Sequence, residues 1–227
     1  MLELKQIIQS SKNKPLIKVC GITQLEQANE LSDIGIDFCG FIFYEKSKRF
    51  VTPHLTPNQI ASVSNGIKKV GVFVNEKLEV VLQTANACKL DAVQLHGNET
   101  PEYCFEVKKH FFTLKAIGVN EAVNINDSIF PYQDSVDAFL FDTKHETYGG
   151  TGKKFDWKIF ENAKIDLPFF LSGGISPLDV GDLRHFASIK PAQNLVAFDI
   201  NSKFENKYGV KDIKMIKNFV IEINGSK

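Results

Sequence analysis

Eight short apolar runs, spread along 227 residues and separated by amphipathic stretches, restrict this chain's fold more than any other feature. They are Leu16–Cys20, Asp37–Phe43, Lys69–Val74, Ala92–Leu95, Phe112–Ile117, Ala138–Asp142, Phe169–Ser172 and Leu195–Asp199. Several are apolar without a break, as in Phe-Cys-Gly-Phe-Ile-Phe from Phe38 to Phe43 and Val-Gly-Val-Phe-Val from Val70 to Val74. A strand with water on one side alternates in polarity. A strand apolar throughout is covered on both faces, as in a parallel sheet.

The stretches between the runs carry helix-start signals. Thr23 followed three residues later by Glu26 has the form of a capping box. Thr56-Pro57, Thr100-Pro101 and Ser176-Pro177 each set a hydroxyl cap before a proline at the first helical position. Glu102 and Asp179 then sit where the helix dipole favours negative charge. A last helix is expected from Asp212 to about Glu222, whereas Asn124, Asn126 and Pro131 limit any helix between Val119 and Gln133. Strand and helix thus alternate about eight times, which predicts right-handed βαβ units. Eight units in a chain near the ~250 residues typical of a barrel favour a closed (β/α)8 TIM barrel over an open doubly wound sheet. The expectation is one α/β domain over residues 1–227, with residues 1–14 as a short N-terminal extension, read as helical.

Composition excludes several classes of function. Lys plus Arg and Asp plus Glu are equal at 27 each, so no basic field points to nucleic acid; a small anion held by a few local groups stays open. Cys20, Cys39, Cys88 and Cys104 form no Cys-x-x-Cys pair, and no metal-ligand cluster stands out. Neither an apolar leader nor a bilayer-length apolar run is visible, so no membrane partner is expected and the cytoplasm is the expected compartment. Monomer and homodimer are both open.

A barrel of this kind carries its active site at the C-terminal ends of its strands. Polar groups gather there while the strands stay apolar. Strand one ends in Lys18-Val19-Cys20-Gly21, and Ser47-Lys48-Arg49 follows strand two. Strand four ends in Gln94-Leu95-His96-Gly97 and strand six in Asp142. Ser172-Gly173-Gly174-Ile175 follows strand seven, and Asp199-Ile200-Asn201-Ser202 closes strand eight. Gly173, Gly174, Asn201 and Ser202 lie where barrels bind phosphate on backbone N–H groups; the plainer alternative for the glycines is a tight turn. Cys20 is either a small buried hydrophobe or, on the rim beside Lys18, a general base. Asp142 ends an apolar strand and needs a partner such as Lys144, or serves as a general acid with its pKa raised by partial burial. Arg49 suits a substrate carboxylate, or is a solvated loop residue. Asp199 fits sugar hydroxyls or the orientation of the phosphate loop, and Lys18, Gln94 and His96 fit supporting roles. Lys144 to Gly152, with Gly149-Gly150-Thr151-Gly152, reads as a substrate lid or a plain surface loop.

Taken in order from Lys18 to Asp212, these segments resemble the phosphoribosylanthranilate isomerase family of tryptophan biosynthesis. Its opening Lys-x-Cys-Gly-Ile-Thr is present from Lys18 to Thr23, and its Gly-Phe-Ile-Phe run with Ser-x-Arg spans Gly40 to Arg49. Gly71 to Asn75, Gln94 to Gly97, Asp142 with Gly150-Thr151-Gly152, and Ser172 to Ile175 are similar to its later strands. Asp199 to Ser202, Glu205 and Gly209 to Asp212 are similar to its C-terminal signature. The resemblance implies an Amadori rearrangement with no metal or cofactor and a small phosphorylated substrate. It implies Cys20 as general base, Asp142 as general acid and Arg49 as partner of the anthranilate carboxylate. It sets the phosphate near Gly173, Gly174, Asn201 and Ser202. The chain departs from the pattern at Lys48, where proline is usual, at Lys203-Phe204, where glycine commonly follows the serine, and in its longer N-terminus. Other phosphate-binding barrels, such as ribulose-phosphate epimerase or thiamin-phosphate synthase, fit the Cys20, Asp142 and Arg49 set less well. A non-catalytic scaffold barrel would lack these groups.

Overall fold

The structure is a computed structural model that describes residues 2–10, 14–120, 122–143 and 156–225. Eight parallel strands close into a barrel in sequence order, with β8 hydrogen-bonded back to β1. They are β1 Leu16–Cys20, β2 Phe38–Ile42, β3 Lys68–Phe73, β4 Ala92–Leu95, β5 Phe112–Val119, β6 Ala138–Thr143, β7 Phe169–Leu171 and β8 Leu195–Ile200. The helices in chain order are α1 Leu2–Ser10, α2 Leu25–Asp33, α3 Pro57–Ala61, α4 Leu78–Ala87, α5 Pro101–Lys108, α6 Ile125–Ile129, α7 Val180–Ser188 and α8 Ile213–Ile223.

The unbroken apolarity of the strands reflects two separate cores. Alternate residues point inward and outward along each barrel strand. Ile17, Val19, Cys39, Phe41, Phe139, Phe141, Phe198 and Ile200 belong to the larger cluster, which lies between the barrel and its helices. Leu16, Phe38, Val70, Ala92, Leu114, Leu140, Phe170 and Ala197 belong to the smaller cluster inside the barrel. Leu4 and Ile8, one turn apart on α1, join that inner cluster. Glu3 pairs with Lys68 at the start of β3 (2.7 Å), and Lys5 pairs with Asp137 just before β6 (3.0 Å). Residues 2–10 of the predicted extension are therefore a helix seated across the N-terminal mouth of the barrel.

One local device recurs around that end. Asp37, Asp91 and Asp137 precede β2, β4 and β6, and each carboxylate accepts the backbone N–H of the second residue of the preceding strand, from Ile17, Lys69 and Thr113, at 2.8 to 3.0 Å. This helps to fix the register of the paired strands.

Thr56 and Thr100 cap α3 and α5 as their sequences predict, with Gln59 completing a capping box on α3. Two expectations need correction. Thr23 does not cap α2: Gln24 is the N-cap and makes no side-chain bond, because the Thr23 hydroxyl donates instead to the Gly209 carbonyl at 2.7 Å. Ser176 is the N-cap and Pro177 the first helical residue as expected, with Asp179 accepting the Ser176 N–H at 2.7 Å, but that first turn is a 3-10 turn over Pro177–Asp179 and α7 starts only afterwards. A short hairpin, β9 Glu205–Lys207 with β10 Val210–Lys211, follows β8 and has no counterpart among the expected strands.

Candidate active site

The inward positions that continue past the apolar inner core become polar at the C-terminal end. Leu16, Lys18 and Cys20 form one such series on β1. Ala138, Leu140 and Asp142 form another on β6, and Ala197, Asp199 and Asn201 a third through β8. The same alternation that buries the lower residues thus delivers the upper ones to one cleft of about 860 Å³, solvent-open space included. Cys20, Arg49, Gln94, His96, Asp142, Gly173, Gly174, Asp199, Asn201 and Ser202 all line it, joined by apolar Ile42, Val72, Val74 and Ile175 and by Tyr44 and Ser172. Of the expected site residues only Lys18 stands behind the wall, completely buried. The loop 144–152, expected as a lid, and Lys144, expected as a partner of Asp142, lie outside the described residues.

Cys20 sits opposite Gly40 in the β1–β2 register, and that glycine makes room for it: a Cβ at Gly40 would lie 2.8 Å from the thiol sulfur. Burial pushes the Cys20 thiol above its ordinary pKa, and the neighbouring Lys18 ammonium pulls the other way. Lys18 donates to Asp199 Oδ2 at 2.8 Å. Burial disfavours the Lys18 ammonium, yet Asp199 and Cys20 together outweigh it and hold the lysine charged. Burial likewise raises the Asp199 carboxyl against the pull of Lys18. Asp199 Oδ1 and Gln94 Oε1 are buried acceptors with no hydrogen-bond partner among the described residues, and both residues line the cleft.

On the facing wall, Asp142 is half-buried, with His96 Nε2 3.4 Å from its Oδ2. The Gln94 amide nitrogen lies 2.7 Å from His96 Nδ1. With that nitrogen accepting, the ring proton belongs on Nε2, facing Asp142. A second buried pair supports this arrangement from behind. Lys115 donates to the Gly97 carbonyl at 2.7 Å and to Glu99 at 3.0 Å, while Glu99 accepts from the backbone N–H groups of Asn75 and Gly97. The turn that carries His96 is thereby pinned. The expectations omit this pair, although a lysine inside the apolar run of β5 was an available signal.

At the cleft's other end, Gly173 and Gly174 have φ of 94° and 69°, left-handed values that glycine adopts without strain. Asn201 and Ser202 follow β8, and the buried Phe204 locks their turn by stacking edge-on against Phe219 of α8, centroids 5.0 Å apart. The phenylalanine that departs from the family pattern thus has a packing role. Lys203 beside it is exposed. Lys48 lies 4.4 Å above the Tyr208 ring and donates to the Tyr208 hydroxyl at 3.1 Å.

Arg49 is not a solvated loop residue. It is buried, and its guanidinium grips Glu205 through Nε at 2.8 Å and Nη2 at 2.6 Å. Lys211 reaches the same carboxylate at 2.7 Å. Glu205 and Lys211 belong to the hairpin, whose motif was visible in the sequence but whose contacts were not.

Comparison with known proteins identifies the family. The family model described as N-(5'phosphoribosyl)anthranilate (PRA) isomerase matches residues 17–222. The N-(5'-phosphoribosyl)anthranilate isomerase of Parabacteroides distasonis is 43% identical over 210 residues, which are 92% of this chain and 93% of that protein. Monomers generated from the dimeric phosphoribosylanthranilate isomerase of Thermotoga maritima are 32% identical at a TM-score of 0.76, covering 93% of this chain and 99% of theirs. A phosphoribosylanthranilate isomerase solved in complex with reduced 1-(o-carboxyphenylamino)-1-deoxyribulose 5-phosphate is 31% identical at a TM-score of 0.73, covering 92% and 98%. The chain belongs to the N-(5'-phosphoribosyl)anthranilate isomerase family.

Proposed function

We propose that this chain is a single-barrel isomerase that converts N-(5'-phosphoribosyl)anthranilate to its carboxyphenylamino-deoxyribulose phosphate by an Amadori rearrangement. The observation that carries the reading is the convergence of Cys20, Asp142, Arg49 and the Gly173, Gly174, Asn201 and Ser202 loops on one cleft in a chain of this family. The reaction needs an acid and a base on different sides of one sugar and no outside oxidant or reductant, since the first sugar carbon is reduced as the second is oxidised.

Asp142 delivers a proton to the ribose ring oxygen, and the furanose opens to a protonated Schiff base. His96 steadies the Asp142 carboxyl and exchanges a proton with it. Cys20 then takes the proton from the second sugar carbon, and the enolamine tautomerises to the aminoketone. A buried thiol is a reluctant anion, so the base is the fraction of Cys20 that has already lost its proton to solvent; Lys18 and then the Schiff-base cation stabilise that thiolate. Asp199 Oδ1 and Gln94 Oε1, buried and unpartnered among the described residues, are acceptors suited to sugar hydroxyls. The glycine loop and the turn after β8 suit a phosphate, and Arg49 suits the anthranilate carboxylate. The four free cysteines are in keeping with a reducing compartment, the cytoplasm.

The test is a fluorescence assay with freshly generated phosphoribosylanthranilate. The purified chain should consume the fluorescent substrate faster than its spontaneous decay. Decay at the uncatalysed rate with folded protein would rule the activity out.

A further inference from the structure

Arg49, Asn201, Glu205 and Lys211 meet in one wall of the cleft. Glu205 accepts from Arg49 Nε at 2.8 Å and Nη2 at 2.6 Å, from Lys211 Nζ at 2.7 Å and from the Gly209 N–H at 3.2 Å. Lys211 Nζ also donates to Asn201 Oδ1 at 2.8 Å. Gly21 closes the ring, since a Cβ there would lie 2.5 Å from Arg49 Cδ and 3.0 Å from Asn201 Oδ1. The group is dry: Lys211 is 2% exposed, Arg49 5%, and the Glu205 side chain 4%.

We propose that Glu205 is a positioning residue: its one buried carboxylate sets Arg49 for a ligand carboxylate and, through Lys211, sets Asn201 for a ligand phosphate. This rests on the functional reading above and adds to it a residue that joins the two anion-binding ends.

Three observations carry the inference. Buried ion clusters are seldom needed for stability, because well-packed apolar residues of similar volume do as well or better. A cluster in the wall of a binding cleft is better explained by placement. The charges also do not balance: one carboxylate faces two cations, leaving one positive charge in excess for an incoming anion. Burial accordingly lowers the Lys211 ammonium to about 8, against the pull of Glu205. Lastly, the guanidinium has five N–H donors in a rigid plane. Gripping Glu205 along one edge fixes that plane and leaves the other edge for the ligand.

The experiment compares kcat, KM and thermal unfolding for Glu205→Gln, Arg49→Ala, the double variant and Lys211→Met, with inorganic phosphate as an equilibrium probe. Removing one partner of a buried charged hydrogen bond should raise KM about tenfold or more in Glu205→Gln, with kcat changed far less. In the Arg49→Ala background the same change should add only the smaller rise that runs through Lys211 and Asn201. Lys211→Met should weaken inorganic phosphate more than Arg49→Ala does. A folded Glu205→Gln enzyme with unchanged KM overturns the proposal. So does an equal KM rise with and without Arg49, which would show that Glu205 does not act on the carboxylate end through Arg49 and so does not join the two ends. Should Glu205→Gln fail to fold, Lys211→Met with unchanged phosphate affinity overturns it alone. An Arg49→Ala enzyme with normal KM overturns the carboxylate reading itself, a failure distinguishable because Glu205 is then intact.

Discussion

Cys20 and Asp142 occupy the last inward position of β1 and β6, and the strand period that puts them there leaves each with one distinctive neighbour, Lys18 and His96. Each should be dispensable for folding and indispensable for turnover. Cys20→Ser keeps the size but offers a far weaker acid, and Asp142→Asn keeps the shape but has no proton to give. Both should lower kcat by about 10²–10⁴-fold with KM little changed. A folded Cys20→Ser enzyme turning over near the wild-type rate would return Cys20 to the inner core. The pH profile gives a second reading. Burial holds the Cys20 thiol above 9.0 in the free protein, so thiolate accumulates only as pH rises. Because Asp142 must keep its proton while Cys20 loses one, kcat/KM should be level below the thiol pKa and break only above pH 9, and that alkaline break should leave the measurable range in Cys20→Ser. An alkaline break near pH 7 would mean that another group is the base. Gly174, at φ 69°, should tolerate neither strain nor charge. Gly174→Glu should raise KM by crowding and repelling the phosphate, and a normal KM would move the cradle elsewhere.

At the scale of elements, α1 is a stopper rather than part of the machinery. Leu4 and Ile8 reach the inner core, while every lining residue of the cleft lies at the opposite mouth. Two such side chains contribute on the order of 1.5–3 kcal/mol each, offset by the entropy of ordering a short helix. Deleting residues 1–12 should lower the melting temperature by several degrees and leave kcat and KM intact. An unchanged melting temperature, or lost turnover in a folded deletion, would refute this division. The strands themselves were legible to within two residues, because a double-sided core leaves uninterrupted apolar runs. Helix starts were legible where a hydroxyl capped its own helix, as at Thr56 and Thr100. Thr23 was misread because its hydroxyl serves a carbonyl 186 positions away, a partner that local spacing does not reveal. That Cys20, Asp142, Asp199 and the loops after β7 and β8 line one cleft was legible from their places at strand ends. Their couplings were not: Arg49 and Glu205 are 156 positions apart, and Lys115 shows as an anomaly in β5 only until Glu99 is seen beside it.

For the whole molecule, the polar interior has a cost that pH can reveal. All four cysteines are buried, and burial raises Cys39 and Cys104 to about 12 and Cys88 to about 11, with Cys20 raised as well. Burial raises Tyr103 to about 12 in the same way. A group whose pKa is higher in the folded chain contributes stability that is complete below its unfolded value and is lost as pH climbs toward the folded one. For the cysteines that window opens near 9, for Tyr103 near 10, and both extend toward 12. Lys211 has the opposite sign. Its folded pKa of about 8 lies below the ordinary 10.5, so its burial penalty is relieved between those values. One lysine against four thiols, the phenols of Tyr103 and Tyr132, and Lys18, which is also raised, leaves a net loss at the alkaline end. The urea midpoint should hold or rise slightly from pH 8 to 9 and then fall steeply above about 9.5. Cys39→Val should soften the fall by removing one thiol without opening the core. Thiol labelling separates the groups further: Cys20, alone of the four on the cleft wall, should react first and be protected by a bound product analogue, while the other three should wait for unfolding. Equal reactivity of all four in the folded protein, or a urea midpoint flat from pH 9 to 11, would show that the thiols are not held neutral by the fold.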